Sequence, residues 1–399
     1  MRKNVARALL TMLVALSWRS TVAQTPESPD PIRALVTQLD LQTYKSTIKA
    51  LTQFGDRREG TDRNRAAIDW IEAQFKSYGC ADIERLRYEY RPAPLPSPAP
   101  AAARPPAVPA RAAGGGRMRG PNAFIPPETD ANAQPDVKLR ALNMQPTKPG
   151  TREDIFCTKV GKVHPNEMYI VSAHMDGRGF GEAANDDASG TALVMELARI
   201  FSNPDVATDR SIRFILWNNE ETGLQGSSAY VSARRDLQGK ESPAGSGRYP
   251  EPTWLGVAQH DMMMFDHGMP RTDGTVSAEQ RPEADVNIEF QESSQFAGQS
   301  QALAWAFQGA NEKYATDYPA VVGRHMTNTD SASFQDTVAS ISLRENERGA
   351  QIGAGWDPQW HRATDLFATY SDKDFRLGLN AAQTTLAGVG QLAGAALKK

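Results

Sequence analysis

Cysteine is nearly missing: Cys80 and Cys157 are the two in a chain of 399 residues. That excludes a disulfide-built scaffold, and with no second cysteine near either one it excludes a thiolate zinc site. An excess of one charge is missing as well. The formal net charge is −3, so nothing global directs the chain to nucleic acid or to an anionic membrane surface. There is no internal repeat. Nor is there an apolar run of the roughly 20 residues that a spanning helix needs. Hydrophobic residues at 40% and charged residues at 23% are ordinary for a soluble globular protein, so function must be sought in local constellations.

The first residues carry one such signal. Arg2, Lys3 and Arg7 precede the short apolar run Ala8–Leu16, and Thr21-Val22-Ala23 offers small residues before a polar, Pro-containing stretch from Gln24. This reads as a secretory signal peptide over residues 1–23, with a secreted or periplasmic product and no stable membrane insertion after cleavage. In an oxidising compartment Cys80 and Cys157 either form one disulfide or stay as two buried thiols. The bond requires the helix before Cys80 and the strand holding Cys157 to be neighbours.

Residues 24–399 read as one domain. A helix is expected over 31–54, with apolar positions at three- and four-residue spacing, and a second after Thr61 or Asp62, with Ile68, Ile71 and Phe75 as its buried stripe and Gly79 at its end. Leu86–Tyr90 alternates as a strand. Residues 91–135 are rich in Pro, Ala, Gly and Arg and hold too little apolar surface to offset ordering entropy, so they are expected to form a mobile insertion. From Asp154 the pattern is that of a sheet: strands over 155–160 and 168–173 joined by a turn around His164, a loop over 174–187, a helix over 189–201 and a strand over 211–217. This order favours a three-layer α/β/α sandwich, with acidic residues just past buried strands, where open α/β sheets place their chemistry.

Singly, His174, Asp186, Glu221, Asp261 and His361 are ordinary loop or capping residues. Jointly they differ, because strands end in turn in His174-Met175-Asp176, in Asp186-Asp187 and in Glu220-Glu221. Like charges gathered at one sheet edge repel unless cations lie among them, and imidazole with carboxylate suits Zn²⁺. His260 competes with Asp261, but alternation turns the two to opposite faces. Glu220, a second carboxylate beside a ligand position, suits a general base.

The segments SAHMDGRG, NDDASGTALVMELARIF, ILWNNEETGLQGSSAYV and WHRATDLF resemble, in order, the motifs of the co-catalytic di-zinc aminopeptidases. That family includes bacterial leucyl aminopeptidases and aminopeptidase Y, with glutamate carboxypeptidase and the glutaminyl cyclases as relatives. The resemblance runs from about Arg58 to the C-terminal helix. It implies a mixed, largely parallel sheet and two zinc ions, one on His174 and Asp261, the other on Glu221 and His361, with Asp186 bridging. It also implies a cis Asp186–Asp187 bond, Asp176 orienting His174, and peptides with a free N-terminus as substrates. Carboxypeptidase, dipeptidase and cyclase activities stay open on the same scaffold. A catalytically silent binding domain is disfavoured, since none of these residues has been lost. Thr329–Phe334 resembles a segment beside the active site, with Ser331 where many relatives have His. Phe334, Trp356 and Trp360 are candidate walls of an apolar pocket, while His164, His267 and His325 receive no role.

Overall fold

The computed structural model describes residues 30–90, 128–265, 286–326, 328–345 and 357–398. The expected signal peptide, most of the 91–135 insertion, His267 and Trp356 lie outside these residues. In chain order the elements are α1 (Pro31–Val36), α2 (Leu41–Thr52), α3 (Asp62–Ser77), β1 (Ala81–Tyr90), α4 (Val137–Asn143), β2 (Gly150–Lys159) and β3 (His164–His174). Next come α5 (Ala188–Ser202), β4 (Val206–Ala207), β5 (Arg210–Trp217), α6 (Gln225–Arg234), β6 (Thr253–His260) and β7 (Val286–Glu289). The chain closes with α7 (Ala297–Tyr314), β8 (Ala320–Gly323), β9 (Ser340–Arg344), α8 (Asp372–Leu392) and β10 (Ala396–Leu397).

Eight strands form one sheet in the order β1-β2-β5-β3-β6-β9-β7-β8. Its centre, β5-β3-β6-β9, is parallel, whereas β1 and β2 join antiparallel on one side and β7 pairs antiparallel with β9 on the other. This is the mixed, largely parallel sheet expected. Period-two alternation sorts its side chains into two cores. Val171 and Ala173 of β3, with Ile212, Phe214 and Leu216 of β5, face α2, α5 and α8. Met168 and Ile170, with Ile215 and Trp217 and with Trp254 of β6, form a smaller core on the other face with Tyr230 and Phe334. Burial on both faces explains why β3 and β5 read as nearly continuous apolar runs.

Several sequence expectations need correction. The helix expected over 31–54 is two helices, because Asp40 accepts from Thr43 N and starts α2 afresh. His164 opens β3 rather than occupying a turn, although it is exposed. The end of the insertion is not loose surface. Gln134 is buried, and its amide donates to Phe180 O and Ala363 O at 2.9 Å each.

The two cysteines are bonded. Helix α3 ends with Gly79 at φ +72°, where Cys80 N donates to Phe75 O and Gly79 N to Lys76 O. The chain then enters β1, whose Ala81 pairs with Thr158, and Cys80 beside this pair bonds to Cys157 at a Cα separation of 5.9 Å.

Candidate metal centre

The parallel strands deliver their C-terminal ends to one edge. His174 is the last residue of β3, Glu220 and Glu221 follow β5, and Asp261 follows β6. Asp186 lies just before α5, and His361 in the turn preceding α8. The structure brings all five sequence-nominated ligand residues together in two triads, His174–Asp186–Asp261 and Asp186–Glu221–His361. Asp186 belongs to both. Its Oδ1 lies 3.2 Å from His174 Nε2, and its Oδ2 lies 3.0 Å from His361 Nε2. Asp261 Oδ1 is 3.7 Å from His174 Nε2, and Glu221 Oε2 is 2.8 Å from His361 Nε2.

A buried framework holds these groups. Asp187, joined to Asp186 by a cis peptide bond, caps α5 through Gly190 N and also accepts from His174 N at 3.2 Å. Asp365 accepts from Ala184 N, Asn185 N and Asp186 N at 2.9–3.2 Å, fixing the loop that carries the shared carboxylate. Asp357 takes the Asn185 amide and the Tyr370 hydroxyl. Arg57, fully buried, donates to the carbonyls of Gly55, Met175, Glu182 and Ala183. Arg344 donates to Asp261 Oδ2. Sequence reasoning missed these supports. Asp365 sits inside WHRATDLF and Arg57 in the polar break before α3, but their partners are remote in sequence.

Below the strand ends lies a second polar layer. Ser172 Oγ and Trp217 Nε1 both donate to Gln259 Oε1, and Gln259 Nε2 reaches Thr329 Oγ1 and Asp330 Oδ2 at 3.5 and 3.4 Å. This layer links β3, β5 and β6 to the short helical turn Asp330–Phe334.

Electrostatics follow from burial and crowding. Burial alone would lower the His174 pKa, but Glu220, Asp187, Asp186 and Asp261 together drive it well upward. His361 is likewise opposed by burial yet raised to about 9, with Glu221 the main cause. Burial pushes the Glu220 carboxyl well above the usual carboxylate range, with Glu221, Asp261 and Asp330 adding to it and His174 opposing. Glu221 Oε1 is enclosed without a hydrogen bond among the described residues, and Asp186 Oδ2 meets only His361 Nε2. Raised imidazoles and a bare carboxylate oxygen both mark a site short of positive charge, and this donor set fits divalent zinc.

Some nominated residues act differently from expectation. His174 Nδ1 is held at 2.9 Å by the main-chain oxygen of Asp176, not by its carboxylate, which lies 3.9 Å away. That carboxylate accepts from Glu220 N at 3.1 Å instead. His260 points away from the site, to Ser172 O and Thr385 Oγ1, and burial lowers its pKa to about 4. Phe334 is no pocket wall, because it packs in the core against Trp217, Tyr230 and Trp254. Trp360 stacks on the His361 ring at 4.0 Å. Ser331 is buried and turned to Met326 Sδ, and His325 is exposed.

Comparison with known proteins gives the family and the fold. The chain is 38% identical to aminopeptidase YwaD of Bacillus subtilis over 108 residues, 27% of this chain and 22% of that protein. It is 23% identical over 218 residues to a probable zinc metalloprotease of Pyrenophora tritici-repentis, 51% of this chain and 35% of that one. The chain thus spans about a fifth to a third of the length of these curated relatives. An aminopeptidase from Aneurinibacillus sp. strain AM-1 shares the fold, with a TM-score of 0.57 at 18% identity over 92% of this chain and 96% of that one. Glutaminyl cyclase of Porphyromonas gingivalis does so with a TM-score of 0.53 at 15% identity, over 89% and 99%. The family model for peptidase family M28 matches residues 155–383, more than half of the chain and the stretch that carries every nominated ligand, and the chain belongs to that family.

Proposed function

We propose that this chain is an exported zinc metallo-aminopeptidase that hydrolyses the N-terminal residue from peptides. The observation that carries the reading is the sharing of Asp186 between two triads, each with one imidazole and one further carboxylate. One zinc ion would be held by His174, Asp186 and Asp261, the second by Asp186, Glu221 and His361. When bound, the pair lowers the pKa of water and polarises the scissile carbonyl.

The chain's own groups do the rest. Glu220 lies outside both triads, next to Glu221, and takes the proton of the attacking water. It then returns that proton to the departing amine. Asp176 anchors the Glu220 main chain through its carboxylate, and it holds His174 through its carbonyl. Asp187 holds the His174 main chain, Asp365 the loop that carries Asp186, and Arg344 the Asp261 carboxylate, so these donors need little reorganisation for the reaction.

Metal analysis should find about two zinc ions per chain, and aminoacyl chromogenic substrates should be cleaved until chelator is added. Equal cleavage of N-blocked and free aminoacyl substrates would sink the aminopeptidase assignment and spare the metal site. Cyclisation of N-terminal glutamine without hydrolysis would make it a cyclase. Export predicts a mature protein that begins at Gln24, which N-terminal sequencing of secreted or periplasmic material tests.

A further inference from the structure

Arg178 stands in the SAHMDGRG segment between two glycines, and the nominated chemistry leaves it without a role. Its backbone is wedged against the site. A Cβ on Gly179, which has φ +101°, would fall 2.3 Å from the His361 carbonyl carbon, and one on Gly177 would fall 2.6 Å from Ala183 Cβ. The main chain is thus packed closely against the site, and Arg178 reaches the second triad through its side chain. That side chain is 36% exposed, whereas those of Glu221 and His361 beside it are 5% and 4% exposed.

The guanidinium contacts are long and lean on the second triad. Nε lies 3.1 Å from Glu221 Oε2, Nη1 donates to Glu221 O at 3.3 Å, and Nε and Nη2 each approach His361 Nδ1 at 3.3 Å. His361 turns Nε2, not Nδ1, toward Asp186 and Glu221. A metal on Nε2 uses that lone pair, so the ring proton must sit on Nδ1. An Nδ1–H cannot accept from Arg178, so Nη2 loses that contact, while Nε and Nη1 keep the carboxylate and the carbonyl of Glu221.

We propose that Arg178 is a specificity-determining residue that takes a carboxylate on the leaving half of a short peptide. The inference rests on the zinc aminopeptidase reading. The α-ammonium half of a substrate is repelled by a guanidinium. The half that Arg178 suits is anionic: a nearby C-terminal carboxylate, as in a dipeptide, or an acidic side chain just after the scissile bond. Its planar donors match a carboxylate in two-point fashion, which Lys would not.

The test compares leucyl-glycine, leucyl-glycinamide and the α-amide of leucyl-glutamate on the zinc-loaded enzyme and on Arg178→Gln. We expect kcat/KM for a carboxylate-bearing substrate to exceed that for the neutral amide by about tenfold or more, mainly through KM. In Arg178→Gln that ratio falls toward one. The substrate that responds tells whether the terminus or the side chain is read. Calorimetric binding of leucyl-glycine and leucyl-glycinamide to zinc-loaded Glu220→Gln, with and without Arg178→Gln, repeats the comparison without turnover. If no substrate is hydrolysed, the peptidase reading fails while the binding comparison still decides the role of Arg178. Equal handling of acid and amide by the parent protein, or a preference that survives Arg178→Gln, overturns the proposal.

Discussion

Arg344 donates from Nη2 to Asp261 Oδ2 at 2.8 Å, with both side chains almost wholly withdrawn from solvent. The last residue of β9 thus holds a carboxylate that follows β6, across a parallel strand pairing. Asp261 is left with one oxygen toward His174 and the other committed to a guanidinium.

Replacing Arg344 with Met leaves the Asp261 charge buried without that partner. Breaking a buried pair from one side typically costs about 3–5 kcal/mol. The loss should be largest in metal-free protein and smaller with zinc, which supplies a substitute cation. Thermal unfolding with and without chelator checks this. A variant as stable as the parent in chelator would show that the pair contributes nothing.

Glu220→Gln keeps the shape of the side chain and removes its proton affinity. Turnover of an aminoacyl substrate should fall by about 10²–10⁴, while zinc content stays level with the parent. Turnover close to that of the parent would remove Glu220 from the mechanism.

His260 sets a pH dependence of stability. Its folded pKa is lowered to about 4 by burial, against about 6.5 for an unfolded chain. As pH falls below 6.5 the unfolded state takes up this proton and the folded state does not. The stabilising contribution is therefore complete above pH 6.5 and is lost on descending toward pH 4. At pH 4.5 the loss amounts to about 2–3 kcal/mol. Urea unfolding of metal-free parent and His260→Asn at pH 7 and 4.5 should show a smaller decline in the variant. Parallel declines would mean that this histidine is not linked to folding.

Removing the Cys80–Cys157 bond should cost about 2–5 kcal/mol, because it closes a long loop, its cysteines 77 residues apart in sequence. A Cys80→Ala, Cys157→Ala double variant compared with the parent in urea measures it. Because the bond lies at the start of β1, metal content should be retained.

The ligand residues were legible because parallel strands buried on both faces must be continuously apolar, so polar residues where such a run stops fall at the sheet edge. His174, Glu220 and Glu221 are of this kind. Asp261 was separable from His260 because successive strand residues face opposite sides, and the buried contacts of His260 with Ser172 and Thr385 agree. The split of the first helix was misread because a single cap, Asp40, outweighs an apolar stripe that runs past it.

The sequence by itself determined the strand ends, the acidic and imidazole groups that emerge from them and the family to which the chain belongs. The first two depend on local periodicity and residue type, and the family on the order of four motifs that resemble its own. Tertiary structure alone decided which oxygen of Asp186 faces which imidazole, that Asp176 works through both its carbonyl and its carboxylate, and that Arg57, Arg344 and Asp365 secure the site. Apart from the Asp176 carbonyl, which meets His174 two residues away, those relations join segments distant in the chain. Local pattern carries no distance between such segments, so only the packed sheet and its flanking helices settle them.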